Sequence, residues 1–175
     1  GTPYFSNYVN SDMQPSDVRS MCCRLRLDLR ELRRKSGGFF GSGESTGSIG
    51  VVTINLPRIA YLAKNKEDFF VRLDHMMDIS ARSLSVKRKV ITQLLNDGLY
   101  PYTKHYLGTF NNHFSTIGLV GMNEVGLNAN WLRKDLTHKE TQDFAVEVLN
   151  HMRNRLVIYQ EQYGDFHSLP CRFSR

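Results

Sequence analysis

Two adjacent thiols, Cys22 and Cys23, are the residues in this chain with the most distinctive chemistry. Arg19 and Arg24 flank them, and nearby positive charge favours a thiolate. Sulfur is also the one side-chain atom here suited to carrying a hydrogen-abstracting radical. A plainer reading stays open, because free cysteine is among the most buried residue types. A vicinal disulfide would be strained and is disfavoured.

The other chemistry-bearing patterns are less pointed. Gly41-Ser42-Gly43-Glu44-Ser45-Thr46-Gly47 resembles a phosphate cradle, but Ser48-Ile49 follows where a P-loop has Lys and Ser/Thr. It also precedes a strand, whereas a dinucleotide fingerprint follows one. A flexible connector is the simpler account, with a backbone-amide loop near a bound nucleotide as the alternative. Six histidines are scattered without His-Glu-x-x-His spacing, and no Cys-x-x-Cys occurs, so no metal site is expected within the chain. Arg24, Arg26, Arg30, Arg33, Arg34 and Lys35 form a basic run without interleaved aromatics. That run fits a solvated face better than a nucleic-acid surface.

These residues must be positioned by a chain of 175 residues, 41% hydrophobic and 23% charged, which is ordinary globular composition. The net charge of +6 suits a phosphate-bearing partner or a basic surface. Three cysteines without a signal peptide indicate reduced thiols and a cytoplasmic setting. No apolar run approaches the ~18 residues of a membrane span. The opening Gly1-Thr2-Pro3-Tyr4-Phe5 reads as an internal stretch of something longer.

Residues 1–20 are turn-rich. Leu25, Leu27 and Leu29 alternate with Arg26 and Asp28, the period of a half-buried strand, although Leu25, Leu29 and Leu32 also fit a helix. Residues 36–50 read as a loop, and the β-branched run from Ile49 to Asn55 as a buried strand. Asn55 then caps a helix with Pro57 in its first turn. A long helix is expected over residues 66–96, with Phe70, Leu73, Met77, Leu84, Ile91 and Leu95 as its apolar stripe and Gly98 as its stop. A second strand is expected over residues 115–120. Thr137-His138-Lys139-Glu140 reads as a capping box. It opens a helix carrying Phe144, Val148, Met152, Leu156 and Tyr159, closed by Gly164. Strands alternating with long helices predict α/β architecture with mainly parallel strands. Two strands alone leave open edges.

Several segments together carry a family resemblance. They are residues 3–8 (Pro-Tyr-Phe-Ser-Asn-Tyr), residues 20–25 (Ser-Met-Cys-Cys-Arg-Leu), residues 50–60 (Gly-Val-Val-Thr-Ile-Asn-Leu-Pro-Arg-Ile-Ala), residues 115–124 (Ser-Thr-Ile-Gly-Leu-Val-Gly-Met-Asn-Glu) and the late helix ending Tyr159-Gln160-Glu161. In this order and spacing the chain resembles the large subunit of anaerobic, glycyl-radical ribonucleoside-triphosphate reductases over about residues 3–164.

The resemblance implies a fragment of a ten-stranded α/β barrel built from two parallel five-stranded halves, here a single partial domain over 1–175. It implies a central finger loop around 18–26 with a cysteine at its tip. The family's thiyl position immediately precedes the motif's Arg, which maps to Cys23, with Cys22 its neighbour. In the family the thiyl takes the 3′-hydrogen of a ribonucleoside triphosphate, and the 2′-hydroxyl then leaves as water. The radical comes from a glycyl radical made by a radical-SAM activating enzyme. Electrons come from formate or a thioredoxin-type reductant. Ser48 occupies a position near the substrate, where some formate-using members have Asn. Asn55, Asn123 and Glu124 end or follow strands and are further candidates, each equally readable as a helix cap.

The chain also departs from the family pattern. After the late helix the family has Thr-Pro-Ala-Glu, whereas this chain runs from Gly164 through an aberrant tail, 165–175, containing Cys171. No glycyl-radical segment or cysteine-rich zinc site occurs in the sequence. The expectations are a zinc site outside this chain, no cofactor bound by the segment, and completion by the remainder of a reductase. No turnover is expected from the segment alone. The alternative is a non-catalytic module that binds nucleotide or a partner through the same fold.

Overall fold

The computed structural model describes residues 47–111 and 113–163, together with the backbone of three short strands at 18–21, 25–28 and 167–168. The first two strands, β1 (Val18–Met21) and β2 (Leu25–Asp28), pair antiparallel with Met21 opposite Leu25. Leu25 and Leu27 therefore lie in a strand, and Leu29 and Leu32 lie outside the described residues.

A second sheet is parallel, ordered β3 (Ser48–Asn55), β4 (Phe114–Val120), β5 (His167–Ser168). β3 runs beside β4 from Ser48 opposite Phe114 to Asn55 opposite Val120, with a bulge between Ser48 and Gly50. Parallel neighbours need a long crossover. Here it contains three helices: α1 (Leu56–Leu62), α2 (Lys66–Asn96) and α3 (Pro101–Leu107). After β4 come α4 (Met122–Asn128) and α5 (Lys139–Tyr163). The short α3 and α4 and the two-residue β5 lack a readable periodic signal in the sequence. β5 lies inside the tail that departs from the family, and pairs His167 with Ser115. The rest of that tail and Gly164 lie outside the described residues.

α2 forms where expected, and local chemistry sets both ends. The Asn65 side chain accepts from Asp68 N at 2.8 Å, and Glu67 and Asp68 bring negative charge to the first turn. Gly98, at φ +84°, ends it. Leu73, Met77, Leu84 and Leu95 of the expected stripe are buried, and its first position is an exception. Phe69, not Phe70, is fully buried, in line with Leu73 and Met77 at spacings of four. Phe69 meets Phe70, Phe144 and Trp131 edge-on at centroid distances of 5.6, 5.4 and 6.2 Å. Phe70 is half-buried at the rim, as is Ile91.

β3 also differs from the sequence expectation. It is half-buried: Ile54 is 2% exposed, whereas Val51 is 54% exposed. α2 packs on β3 and β4 from one side, so Gly50, Val52 and Ile54, with Ile117 and Leu119, face it. Alternation puts Val51, Thr53 and Asn55 on the opposite face, with Thr116, Gly118 and Val120 beside them.

α5 lies along α2 and buries the five expected residues, Phe144, Val148, Met152, Leu156 and Tyr159. A polar seam joins the two helices. His151 Nε2 meets Asp74 Oδ1 at 2.6 Å, and Arg155 Nε lies 3.5 Å from the same oxygen. Arg155 and the Tyr159 hydroxyl both donate to Asp78. Burial, then the bond to Asp78, pushes the Tyr159 phenol well up, so it stays a donor.

The predicted capping box does not form. The Thr137 hydroxyl and amide both donate to Asp135, while Glu140 pairs with Lys134 at 2.8 Å. The ionised Asp135 outcompetes a helix amide for the hydroxyl, and Lys134 draws the Glu140 carboxylate away. The Thr137 and His138 bonds hold the Asp135 carboxyl below its usual range.

Leu73→Ala removes a fully buried side chain from the α2 seam. It should cost about 2–5 kcal/mol in urea denaturation, whereas Leu62→Ala, 48% exposed, should cost far less.

Candidate functional site

The sequence-derived candidates fall at opposite ends of the β3–β4 pair. Asn55 closes β3, and its side chain accepts from Arg58 N at 3.2 Å, capping α1 with Pro57 in the first turn. The adjacent strand ends at Val120, and Gly121 turns the chain into α4 at φ +81°. A β-carbon at Gly121 would lie 2.3 Å from Pro57 Cγ and 3.3 Å from Glu124 Oε2. Only glycine therefore lets the two strand-to-helix turns sit side by side. Asn128 Nδ2 reaches Pro57 O at 3.4 Å across the same junction.

Asn55 and Glu124 thus flank one strand-end junction. Glu124 is exposed in the first turn of α4, folded over Gly121. Asn123 is differently employed. Its side-chain oxygen accepts from Leu136 N at 3.1 Å and ties the approach of α5 to α4.

Ser48 lies at the other end of the eight-residue β3, about 23 Å away at 3.3 Å per residue. It sits beside the bulge, where its hydroxyl donates to Gly50 O at 3.4 Å. Bulges re-aim side chains and are common beside functional sites. Ser48 is therefore separate from the Asn55–Glu124 junction. Cys22 and Cys23 lie outside the described residues. Their chain neighbours Met21 and Leu25 are a β1–β2 pair, so residues 22–24 form the sequence link between two antiparallel strands.

The amino end of the sheet also holds residues the sequence reading missed. Arg88 reaches from α2 to the carbonyls of Phe110 and His113 at 3.2 and 2.6 Å, and to Ser115 Oγ at 3.2 Å. One guanidinium thereby fixes the entry into β4. Lys87 extends over Gly50, with Nζ 2.7 Å from where a β-carbon would stand. His113 is buried, its ring against Gly47 and edge-on to Phe110 at 5.2 Å, and its Nδ1 has no hydrogen-bond partner among the described residues. Burial first, and the Arg88 charge second, lower the His113 pKa from its ordinary 6.5. A readable signal existed for Arg88: it follows the core residues Ala81 and Leu84 by seven and four positions, so a charge there must reach a buried partner. His113 carries no such signal. Among the described residues no group of three or more His, Cys, Asp and Glu side chains could hold a metal ion. No helix among them is long and apolar enough to cross a membrane.

Parallel strands feeding helices at one end, with a long helix over one face, define an α/β segment. Residues 1–170 match the family model described as "Anaerobic ribonucleoside-triphosphate reductase", and the chain belongs to that family. It is similar to the anaerobic ribonucleoside-triphosphate reductase of Haemophilus influenzae, with 26% identity over 154 residues, covering 75% of this chain and 22% of that protein. Among solved structures it is similar to the anaerobic ribonucleotide reductase of Thermotoga maritima with glycerol in the active site. The identity is 26% and the TM-score 0.63, covering 71% of this chain and 21% of that one. The same TM-score and identity hold for the Thermotoga maritima enzyme in complex with dATP and CTP, over 71% of this chain and 22% of that one. The chain therefore spans about a fifth of the length of the relatives it matches.

The His113 environment has a pH consequence. Below about pH 6.5 the unfolded imidazole takes up a proton that the folded one resists. Stability should be flat above that pH and fall as the pH drops below it, read from denaturation midpoints. His113→Gln should flatten that acid limb. Separately, Gly121→Ala should lower the melting temperature by several degrees through the clash with Pro57.

Proposed function

We propose that this chain is a segment of the catalytic core of an anaerobic ribonucleoside-triphosphate reductase, and that Cys23 is its thiyl-forming residue. The observation that carries the reading is the β1–β2 pairing that brackets residues 22–24. The flanking strands run antiparallel with Met21 opposite Leu25, which supports that reading. The family membership supplies the chemistry expected at that tip.

In this reading the parallel β3–β4–β5 sheet is part of a larger barrel of ten strands, with α2 on its outer side. The helix-free face of Val51, Thr53, Asn55, Thr116 and Gly118 turns towards the barrel interior. That face is small and partly polar, which suits a ribose approached by hydroxyl-bearing side chains. Ser48, beside the bulge, is proposed near the substrate. Asn55 and Glu124 form a strand-end junction of the type where α/β folds gather ligands. Asn123 serves the scaffold through its bond to Leu136, and Cys22 packs beside the reactive thiol.

The substrate is a ribonucleoside triphosphate, reduced to the deoxyribonucleotide. The nucleotide complex of the Thermotoga maritima relative supports this substrate class. A glycyl radical, installed by a radical-SAM activase elsewhere in the complete enzyme, supplies the radical. Formate or a thioredoxin-type protein supplies the electrons. Cys23 takes the 3′-hydrogen and later returns it. The zinc site of the complete enzyme lies outside this chain.

The test is complementation: the 175-residue chain combined with the remaining reductase segments and activase, assayed anaerobically for deoxyribonucleotide. Turnover is expected, and none from the chain alone. Cys23→Ser should abolish product while the glycyl-radical signal in electron paramagnetic resonance survives. Retained turnover in that variant would remove Cys23 from the mechanism, and Cys22→Ser provides the matched control.

A further inference from the structure

β3 and β4 start as a pair at Ser48 and Phe114, and the register slips at once, so that Gly50 rather than Ile49 stands opposite Ser115. Ile49 is the extra residue of the bulge. Such a bulge turns the neighbouring side chain out of the strand's alternation. The direction of Ser48 therefore depends on where Phe114 stands. The two strand starts are joined by a backbone bond, with Phe114 N donating to Gly47 O at 2.8 Å.

Arg88 holds Phe114 from both sides along the chain. Its Nη2 donates to the carbonyl of His113, the residue before, at 2.6 Å, and to Ser115 Oγ, the residue after, at 3.2 Å. Its Nη1 donates to Phe110 O at 3.2 Å, in the turn that leads into the strand. Ser115 is fully buried and His113 nearly so, which leaves these acceptors little water to turn to. Arg88 stands one helical turn beyond Leu84, which is 1% exposed, so the guanidinium reaches out from a fixed base. The residue before it, Lys87, lies across Gly50. Consecutive residues of α2 thus reach both strands at the bulge.

We propose that Arg88 is a positioning residue of the reductase reaction, a role that rests on the reading of Ser48 as a residue near the substrate. By clamping Phe114 it fixes the bulge, and with the bulge the direction of the Ser48 hydroxyl. It acts through Phe114 and Gly47 and touches no substrate. A planar fork suits the task, because acceptors on residues 110, 113 and 115 must be met together, and an ammonium is a single point charge.

Arg88→Met keeps the apolar stem and removes every donor. Amide hydrogen exchange of the 175-residue chain, read by nuclear magnetic resonance, should show protection falling roughly tenfold or more at residues 48–50 and 113–115, with residues 69–84 unchanged. Unchanged exchange at the bulge overturns the clamp. Equal loss along α2 also overturns it, since Arg88 would then serve the scaffold in general. Turnover is read in the complemented assembly for Arg88→Met, Ser48→Ala and the double variant. Arg88→Met should lower kcat about tenfold, with KM for the nucleotide little changed. In the Ser48→Ala background it should lower kcat no further. Effects that multiply, or a change confined to KM, overturn the proposal, because Arg88 then acts on something other than Ser48. Full turnover of Ser48→Ala overturns it as well, and leaves Cys23 in place. An inactive wild-type assembly strikes the reductase reading and the role of Arg88 in the reaction with it, while the exchange data still show whether the clamp exists.

Discussion

The burial of one face of α2 is the constraint on which the rest of this structure depends. Phe69, Leu73, Met77, Ala81 and Leu84 are each at most 1% exposed, and they meet Ile54 and Ile117 of the sheet and the α5 stripe. Each large side chain removed from water contributes about 2 kcal/mol before ordering costs. A single 31-residue helix thus organises both the β3–β4 pair and the second long helix. The parallel pairing itself follows from this helix, since neighbouring parallel strands need a crossover long enough to return the chain.

That arrangement leaves the two ends of the sheet with different characters. At the carboxyl ends, two strands turn directly into helices, and Gly121 permits the turns to touch at Pro57. At the amino ends, Arg88 gathers three oxygen acceptors and holds the start of β4 against α2. A guanidinium is suited to this because its planar fork donates in several directions at once. The cost is a buried His113 that resists protonation beside that charge. The sheet face turned away from α2 carries Thr53, Thr116 and Gly118 between Val51 and Val120, and of these Thr116 and Gly118 are buried.

The two long helices meet through a different solution. Their core is apolar, but the rim is a chain of acceptors and donors from Asp74 to Tyr159. Asp74 and Asp78 are both engaged there.

Much of this was determined by sequence alone. Residues 66–96 read as a helix because an apolar repeat near 3.6 ran up to Gly98, and the structure adds the Asn65 cap. Asn55 and Pro57 specified a helix start, and β-branched residues specified β3. The family was legible because the Met21-Cys22-Cys23-Arg24 and Val51–Ala60 segments occur in one order. Tertiary structure decided what local pattern leaves degenerate. Phe69 and Phe70 are both apolar, and only the position of Trp131 and Phe144 chooses between them. Thr137 and Glu140 fit a capping box until Asp135 and Lys134 compete for them. β3 was apolar enough for burial on both faces, and the placement of α2 on one side alone made it half-buried. Ser48 and Asn55 are seven residues apart in sequence, and an extended strand sets them at opposite ends of the sheet. Local propensity acts over a few residues, whereas competition for a partner is settled only when distant segments arrive together.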